Sequence, residues 1–325
     1  MTPIQAAAAA LRNETRWRPA EILFWLAALA SWFLLPDWHL LLNEIAIYGL
    51  FALSLDLILG YAGIISLGHA AFFGFGAYVA GLLAKAGYGE PLLGLIAAGG
   101  ACALLGFATS FLVLRGTDLT RIMVTLSVAA VLYEIANRMP WLTGGADGLQ
   151  GIAMLPVLGR FEFDIFGHVA YGYSLAVVFV LFLAARRVVF SPFGWSVRAV
   201  KGNALRTAAI GIPVTSRLIA VYAIGAAYAG IAGALLAETT QFVSLDVFSL
   251  PRSADPLLMV VIGGTGYLYG GLVGAVVFKV MQNWLSDLTP EYWQFWLGVF
   301  LVLLVLVGRE RLFSVPQTLL RRVRR

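Results

Sequence analysis

Few residues in this chain combine the type and the spacing that catalysis or metal binding needs. The three histidines, His39, His69 and His168, are scattered along the sequence, so their spacing predicts no metal site. Cys102 is the single cysteine and lies in an apolar run, which favours a small buried side chain. No Ser/Lys or His/Asp/Glu group recurs at catalytic spacing. The residues therefore predict no enzyme active site, no metal and no bound cofactor.

The composition indicates a membrane protein. Of the 325 residues, 61% are hydrophobic and 12% are charged, whereas a soluble domain carries about a quarter charged residues. A spanning helix needs about 20 apolar residues, so we predict an all-α, polytopic membrane protein with about ten transmembrane helices. The predicted spans are 20–36, 40–59, 70–84, 91–114, 119–138, 168–188, 215–237, 255–265, 269–285 and 292–308.

The basic residues predict the orientation, because cytoplasmic loops retain Lys and Arg. Three segments hold most of them: the N-terminal tail with Arg12, Arg16 and Arg18, the loop 186–217, and the C-terminal tail. The opposite loops are mainly acidic, with Lys85, Arg160 and Arg252 against the carboxylates of Asp37, Glu90, Asp147, Glu162, Asp164, Glu238, Asp246, Asp255, Asp287 and Glu291. We therefore predict a cytoplasmic N-terminal tail at 1–19, a membrane domain at 20–308 and a basic cytoplasmic C-terminal tail at 309–325. The net charge of +5 then reflects topology and not binding to nucleic acid.

With ten crossings and a cytoplasmic N-terminal tail, the two connections 61–69 and 265–269 should also be cytoplasmic. Neither of them carries a Lys or Arg. Each is rich in glycine, as in Gly60-Tyr61-Ala62-Gly63 and Gly263-Gly264-Thr265-Gly266. Irregular backbone at membrane depth is tolerated where it is buried in protein or lines a wet cavity. We predict two broken or re-entrant segments in comparable positions of an internal repeat, a pattern typical of transporters with a midplane site. The alternative is that these glycines only allow close helix packing.

Ionisable groups inside spans are candidates for function, because they are costly there unless paired or wet. A helix N-terminus opening between Ser66 and Ala70 could face the carboxylate of a substrate. The alternative is that Asp56, Ser66 and His69 bond to backbone freed by the break and only hold its shape. The candidates for a substrate pathway are Asp56, Tyr61, Ser66, His69, Thr125, Gly263 and Gly264.

Two further ionisable groups have simpler structural interpretations. Glu134 and Arg138 lie four residues apart on one predicted helix and are expected to pair. Lys279 is expected to contact Gln282 or Asn283, or to extend its amine to the interface.

The loop 190–213 is predicted to form two short helices. Ser191 before Pro192 suits a helix start, and Asn203 suits a second one. Gly211 followed by Pro213 is a typical helix stop. A capped helix of roughly seven residues is too short to be stable alone, so this loop is expected to pack on another surface.

Several motifs together resemble one known family. They are the loop from Ser191-Pro192-Phe193-Gly194 to Gly211-Ile212, the stretch from Leu55 to Tyr78, Leu142 to Leu149, and Leu257 to Gly264. In order and spacing, from about 40 to 310, they are similar to branched-chain amino acid permeases (LivM-like) of ATP-binding-cassette importers. One departure is that this chain has Ala204 where the family usually has an acidic residue, and Arg206 and Thr207 where it has small ones.

The resemblance implies a permease subunit in a bacterial inner membrane that carries a branched-chain amino acid or a similar small polar solute. Its implied partners are a second homologous permease, two cytoplasmic ATP-binding subunits and an external solute-binding protein. The absence of any Gly-x-x-x-x-Gly-Lys-[Ser/Thr] motif agrees that ATP would be used by partner subunits. The alternative is an ion-coupled secondary transporter acting alone, which would need more buried carboxylates than Asp56.

The resemblance also implies two docking regions. The residues implied for ATPase coupling are Arg198, Lys201, Asn203, Arg206 and Gly211. The long external loop 139–167 would meet the solute-binding protein, and its implied docking residues are Thr143, Gly144, Gly145 and Asp147.

Overall fold

A computed structural model describes residues 17–307 of the chain. The predictions for Arg12, Arg16 and the basic C-terminal tail 309–325 lie outside the described residues. Within them the chain forms thirteen α-helices and no strand. The helices are α1 Pro19–Leu34, α2 His39–Asp56, α3 Ala70–Lys85, α4 Pro91–Val113, α5 Asp118–Arg138, α6 Pro140–Thr143, α7 His168–Val189, α8 Pro192–Gly202, α9 Ala204–Ala209, α10 Val214–Thr240, α11 Leu250–Gly263, α12 Leu268–Leu288 and α13 Trp293–Val307.

Each of the ten predicted spans coincides with one of these helices, so the all-α membrane fold is confirmed. Five helices are long and apolar enough to cross a membrane by themselves, and six if α11 and α12 count as one bent span. Helices α1 and α3 and the stretch Trp293–Leu304 of α13 are apolar but shorter. The number of ten crossings and the internal repeat therefore stay predictions.

Helix α2 lies at the centre of the molecule. Thirteen of its 18 residues are buried, and it packs against α7, α10, α11 and α12. Helix α10 packs against α3 and α4 on the other side. Small residues allow this close approach: a Cβ on Gly76 of α3 would lie 2.2 Å from the carbonyl oxygen of Gly230 in α10. The central helices thus form a tight core around the first predicted break.

Both predicted breaks are present. Helix α2 loosens into a π-helical turn at Leu57–Tyr61, and residues up to His69 are irregular before α3 begins. Helices α11 and α12 meet at an angle of 110°. Gly264 (φ 97°) and Gly266 (φ 78°) adopt left-handed backbone between them, which side chains other than glycine rarely tolerate.

Candidate functional site

The two interrupted segments contact each other through Asp56. This carboxylate is buried, and its Oδ1 accepts a hydrogen bond of 2.8 Å from the backbone N–H of Gly266. Gly60 lies at the same point: a Cβ there would be 2.0 Å from Asp56 Oδ1 and 2.5 Å from the Gly266 nitrogen. The contact between the breaks therefore depends on the absence of a side chain at Gly60.

The predicted coupling loop reaches the first break as well. Lys201, at the end of α8, donates a hydrogen bond of 2.6 Å from Nζ to the carbonyl oxygen of Gly60. The guanidinium of Arg198 lies 5.0 Å from the centre of the Tyr61 ring, a distance at which a cation is attracted to the face of an aromatic ring. One continuous set of contacts thus runs from α8 through the first break to the second.

The other end of the first break is held by side chains from three helices. Ser54 Oγ and His69 Nε2 are 2.8 Å apart, and the His69 ring stacks on Phe51. The N–H of Leu67 donates to Thr125 Oγ1 at 3.3 Å. The N–H of Ala70 donates to Ser253 Oγ of α11 at 3.1 Å.

The N-terminus of α3 therefore differs from the open, carboxylate-facing end that the sequence suggested. The Ala70 N–H is taken by Ser253, and the next two amides donate to the carbonyls of Gly68 and His69. The alternative interpretation, in which Asp56, Ser66 and His69 bond to backbone and hold the shape of the break, agrees with the bond between Asp56 and the Gly266 amide. His69 is instead held by the side chains of Ser54 and Phe51.

Three buried polar atoms along the first break nevertheless lack a partner among the described residues: Asp56 Oδ2, Ser66 Oγ and His69 Nδ1. A buried polar atom left without a hydrogen bond costs about 1–3 kcal/mol. Such atoms are usually satisfied by water or by a ligand. Asp56 Oδ2, Ser66 Oγ and His69 Nδ1 are therefore the atoms of the predicted pathway that stay candidates for binding a polar solute.

Gly263 and Gly264 serve the bend between α11 and α12. A Cβ on Gly263 would lie 1.7 Å from the carbonyl oxygen of Gly270 in α12. The N–H of Gly264 donates to the carbonyl of Val260 at 2.7 Å and ends α11. Their geometry explains why glycine is required, and their place in a substrate pathway stays a prediction.

The two helices expected in the coupling loop are confirmed as α8 and α9. Ser191 Oγ accepts from the N–H of Gly194 at 3.3 Å, and Asn203 Oδ1 accepts from the N–H of Arg206 at 2.9 Å. Gly211 has φ 87° after the end of α9. Each cap is made by the residue that the sequence indicated.

The loop 139–167, which the sequence predicts to be external, is folded and not merely solvated. Thr143 is buried and donates to the carbonyls of Ala136 and Met139, and Gly144 and Gly145 have positive φ. Beyond them, Leu149 forms an antiparallel bridge with Val243 in the loop after α10. Of the four predicted docking residues, Asp147 has an exposed side chain, whereas Thr143, Gly144 and Gly145 build the turn that presents it.

Of the two structural interpretations predicted for ionisable groups inside spans, one is confirmed and one is wrong. Glu134 and Arg138 pair as expected. The predicted contact of Lys279 is wrong: its Nζ lies 3.3 Å from Glu44 Oε2 and 3.8 Å from the centre of the Tyr48 ring. These partners are more than 200 positions away in the sequence, so local spacing could not have indicated them.

Arg252 and Asp255 were assigned to an external loop, but they lie within α11. Arg252 donates from Nε to Asp246 Oδ2 at 2.8 Å and also contacts the Tyr48 hydroxyl. Ser249 caps α11 and starts the helix five residues before the predicted span. The polar first turn of α11 thus belongs to the folded domain.

Glu238 is a second correction. It was counted among the loop carboxylates, but it is buried in α10. Its Oε2 accepts a hydrogen bond of 2.8 Å from the Tyr173 hydroxyl, while Oε1 has no partner among the described residues. The chain therefore holds at least two buried carboxyl groups, Asp56 and Glu238, and not Asp56 alone.

The histidines are less scattered in space than in sequence. The rings of His39 and His168 have centroids 4.2 Å apart. No group of three His, Cys, Asp or Glu side chains within residues 17–307 could hold a metal ion.

These features define a polytopic helical membrane protein with two interrupted segments joined to a capped loop of short helices. The chain belongs to the family described as branched-chain amino acid transport system / permease component, whose family model matches residues 39–307. The resemblance noted from its motifs is thereby confirmed, and the chain is a multi-pass protein of the inner membrane.

Three relatives illustrate the range of the family. The high-affinity branched-chain amino acid transport system permease protein LivM of Salmonella typhimurium is 31% identical over 288 residues, and that of Escherichia coli is 30% identical. Each alignment covers 80% of this chain and 66% of the relative, so the chain spans just under two thirds of their length. The L-arabinose ABC transporter permease protein AraH of Azospirillum brasilense is 28% identical over 83% of this chain and 79% of its own. No solved structure matches the chain.

Proposed function

We propose that this chain is a permease subunit of an ATP-binding-cassette importer and carries a branched-chain amino acid or a similar small polar solute. Separate cytoplasmic subunits would bind and hydrolyse ATP, because no phosphate-binding loop occurs in this sequence. The observation that carries the proposal is the continuous contact from Lys201 through Gly60 and Asp56 to Gly266. A displacement of α8 by a partner would reach both interrupted segments through these bonds.

The surface of α9 supports docking of an ATPase subunit. Leu205 in α9 is 86% exposed, and Ile210, directly after the helix, is 74% exposed. Two large apolar side chains therefore lie on a loop that is predicted to be in water. Apolar side chains grouped on such a surface indicate a protein interface. Arg206 beside them would need an acidic or neutral surface on the ATPase, since this loop lacks the acidic residue usual in the family.

Helix α5 supports pairing with a second permease. Only three of its 21 residues are buried, yet one exposed face carries polar groups at helical spacing. This face comprises Thr120, Ser127, Val131, Glu134 and Arg138. Such a stripe is costly against hydrocarbon, so we infer that it faces the second permease and the solute pathway between the two subunits.

The substrate class rests on the relatives and on the polar atoms of the first break. The LivM relatives are named for branched-chain amino acids and AraH for L-arabinose, so family membership alone is compatible with more than one solute. The LivM relatives have the higher identity to this chain, which favours an amino acid as the transported solute. The external solute-binding protein would dock on the turn that presents Asp147 and would select the solute.

The test is reconstitution of this chain in vesicles with its co-expressed permease and ATPase partners and its solute-binding protein, followed by measurement of leucine uptake and ATP hydrolysis. We expect uptake to require ATP. Lys201→Gln should lower uptake at least tenfold while ATP hydrolysis continues, because the bond to Gly60 is lost. Lys85→Gln is the matched control, since Lys85 is an exposed lysine at the end of α3, whereas the Gly60 carbonyl accepts its hydrogen bond from Lys201. Uptake by the chain alone, insensitive to removal of ATP, would falsify the proposal.

A second candidate, an ion-coupled transporter acting alone, is favoured by one observation: Glu238 is buried, and its Oε1 has no hydrogen-bond partner among residues 17–307. A proton-coupled carrier needs a buried carboxyl group that exchanges a proton during transport. Uptake driven by an imposed proton gradient without ATP, and abolished by Glu238→Gln, would support this candidate. Equal ATP-driven uptake by Glu238→Gln and the unchanged chain would exclude a role of Glu238 in coupling.

A further inference from the structure

A second group of polar side chains lies toward the ends of α2 and α11 that are remote from the two breaks. This outer cluster joins four segments of the chain and comprises Glu44, Tyr48, Asp246, Arg252, Asp255 and Lys279. Glu44 precedes Asp56 by twelve residues on one helix, which corresponds to about 18 Å along its axis. The predicted orientation puts the outer cluster on the external side.

The cations of the outer cluster are less accessible than its carboxylates. Lys279 is buried, and its Nζ lies 3.3 Å from Glu44 Oε2 and 3.8 Å from the centre of the Tyr48 ring. The side chains of Glu44 and Asp246 are 53% and 55% exposed. Glu44 lies in a segment that is apolar enough to cross a membrane, where an exposed carboxylate is costly against hydrocarbon. This face of the chain therefore borders water or a partner subunit.

Arg252 and Asp255 keep hydrogen-bonding capacity that the described residues do not use. Arg252 donates from Nε to Asp246 and from Nη1 to the Tyr48 hydroxyl, and its Nη2 has no partner among residues 17–307. Asp255 is attracted to Lys279 and Arg252, but neither of its oxygens accepts a hydrogen bond from a described residue. Residues three apart on a helix are neighbours, so an unused donor and an unused carboxylate lie side by side on α11.

The backbone of the same turn supplies a further acceptor. In a regular helix the carbonyl of Arg252 would accept a hydrogen bond from the amide of residue 256, but this residue is Pro256, which has no N–H. An ammonium group has three donors, and the Asp255 carboxylate and this carbonyl are acceptors for it. The first turns of α11 thus offer donors for a carboxylate and acceptors for an ammonium group.

The outer cluster also lies next to the helix that the proposed function places on the solute pathway. The segment Leu245–Phe248, which contains Asp246, packs against α5. Helix α5 carries the polar stripe that we infer to face the second permease. A solute that enters between the two subunits from outside would therefore meet Arg252 and Asp255 before it reaches the breaks.

We propose that Arg252 and Asp255 bind the zwitterionic head group of an α-amino acid at the external entrance of the pathway. The carboxylate of the solute accepts hydrogen bonds from Arg252, and its ammonium group donates to Asp255. Tyr48 and Asp246 hold the Arg252 guanidinium in place, and Glu44 compensates Lys279 beneath it. This site rests on the proposed transport function and narrows its solute to molecules that carry both charges, which excludes a neutral sugar.

The experiment measures ligand binding by saturation-transfer NMR to the purified complex of this chain and its co-expressed partners, without the solute-binding protein. The probes are leucine, isocaproate, which lacks the amine, and isoamylamine, which lacks the carboxylate. Leucine should bind at least about fivefold more tightly than either analogue, because each analogue loses charge-assisted hydrogen bonds. Asp255→Asn should weaken leucine binding by a similar factor and leave isocaproate binding unchanged. Arg252→Gln should weaken leucine binding and leave isoamylamine binding unchanged.

Asp287→Asn is the matched control, because Asp287 is an exposed carboxylate of α12 outside the outer cluster. It should bind all three probes like the unchanged complex. Retained isocaproate binding shows that Asp255→Asn is folded, whereas an equal loss of leucine and isocaproate would assign Asp255 a structural role and overturn the site. Equal affinity of the unchanged complex for the three probes would overturn it as well.

Failure of this site and failure of the proposed function give different results. ATP-driven leucine uptake that is unchanged in Asp255→Asn would remove the site and leave the proposed function intact. Leucine uptake by the chain alone, without ATP, would remove the proposed function itself.

Discussion

Asp56 joins two segments that are 210 positions apart in the sequence, through one hydrogen bond to the amide of Gly266. The bond is possible because Gly60, one helical turn after Asp56, has no side chain to fill the gap. The same glycine supplies the carbonyl that binds Lys201. The two hydrogen bonds that the proposed function needs therefore meet at a single small residue, Gly60.

Gly60→Ala is the most direct test of this junction. The new methyl group would lie 2.5 Å from the backbone nitrogen of Gly266, which cannot move aside as a flexible side chain could. Overpacking of this kind costs about 1–3 kcal/mol, so the melting temperature of the purified chain should fall by several degrees. Leucine uptake by the reconstituted complex should fall by more than the loss of folded protein alone would explain.

Gly100→Ala is the matched control, because Gly100 lies within α4 and a Cβ there would meet nothing within 4 Å. Alanine is favoured over glycine in a helix by about 0.5–1 kcal/mol. This variant should therefore melt at or above the temperature of the unchanged chain. A Gly60→Ala chain that melts and transports like Gly100→Ala would contradict the close approach of the two breaks.

At this scale the sequence indicated some site residues and not others. Asp56 stands out because it interrupts an apolar run, where an ionisable group is costly. Glu238 lies next to Thr239, Thr240 and Gln241 and looks like the start of a polar loop. Its burial depends on Tyr173, which a sequence without contacts cannot reveal.

At the scale of elements, the stability of α9 depends more on its N-cap residue, Asn203, than on the helix propensity of its own sequence. A helix of six residues forms few internal hydrogen bonds and is not stable alone. Asn203 supplies an acceptor for the Arg206 amide, and Thr207 donates to the Asn203 carbonyl at 2.8 Å. The exposed Leu205 and Ile210 are held in place only while this helix is formed.

Asn203→Ala should therefore loosen α9 and leave the rest of the fold intact. Loss of a helix N-cap costs about 0.5–2 kcal/mol, which is large for one short helix and small for the whole domain. Amide hydrogen exchange at 204–209 should speed up several-fold, and uptake per ATP hydrolysed should fall. The melting temperature should change by no more than a few degrees.

Asn203→Asp keeps a capping oxygen and serves as the control for this prediction. It should retain slow exchange at 204–209 and normal coupling. If Asn203→Ala also leaves both quantities unchanged, α9 does not couple ATP hydrolysis to transport.

The elements were predicted better than their arrangement. Helix boundaries follow from local signals such as Ser191 and Asn203, and those were read correctly. The start of α11 was missed because Arg252 and Asp255 suggested a loop in water, whereas Asp246 and Tyr48 surround Arg252 in the fold. The bend of 110° after Gly263 depends on the close approach of α12, which glycine permits but does not specify.

At the scale of the whole molecule, the described helices differ sharply in how much of their surface is covered by other parts of the protein. Helices α2 and α10 are largely enclosed by protein, whereas α4 and α5 expose one face each. The exposed face of α4 is apolar throughout, with Ile96, Leu104, Phe107 and Leu112, and suits lipid. The exposed face of α5 carries the polar side chains of Thr120, Ser127 and Glu134. Exposing these side chains to hydrocarbon is costly.

This contrast gives a prediction about assembly. A photo-reactive benzoylphenylalanine placed at Val131, in the middle of the α5 stripe, should cross-link to the second permease in intact membranes and give a band at the summed mass of the two chains. The same group at Leu104 of α4, which is also strongly exposed, should give no such band because lipid covers that face. Cross-linking from Leu104 but not from Val131 would move the interface to α4 and leave the polar stripe of α5 unexplained. A band of twice the mass of this chain would identify the second permease as another copy of it.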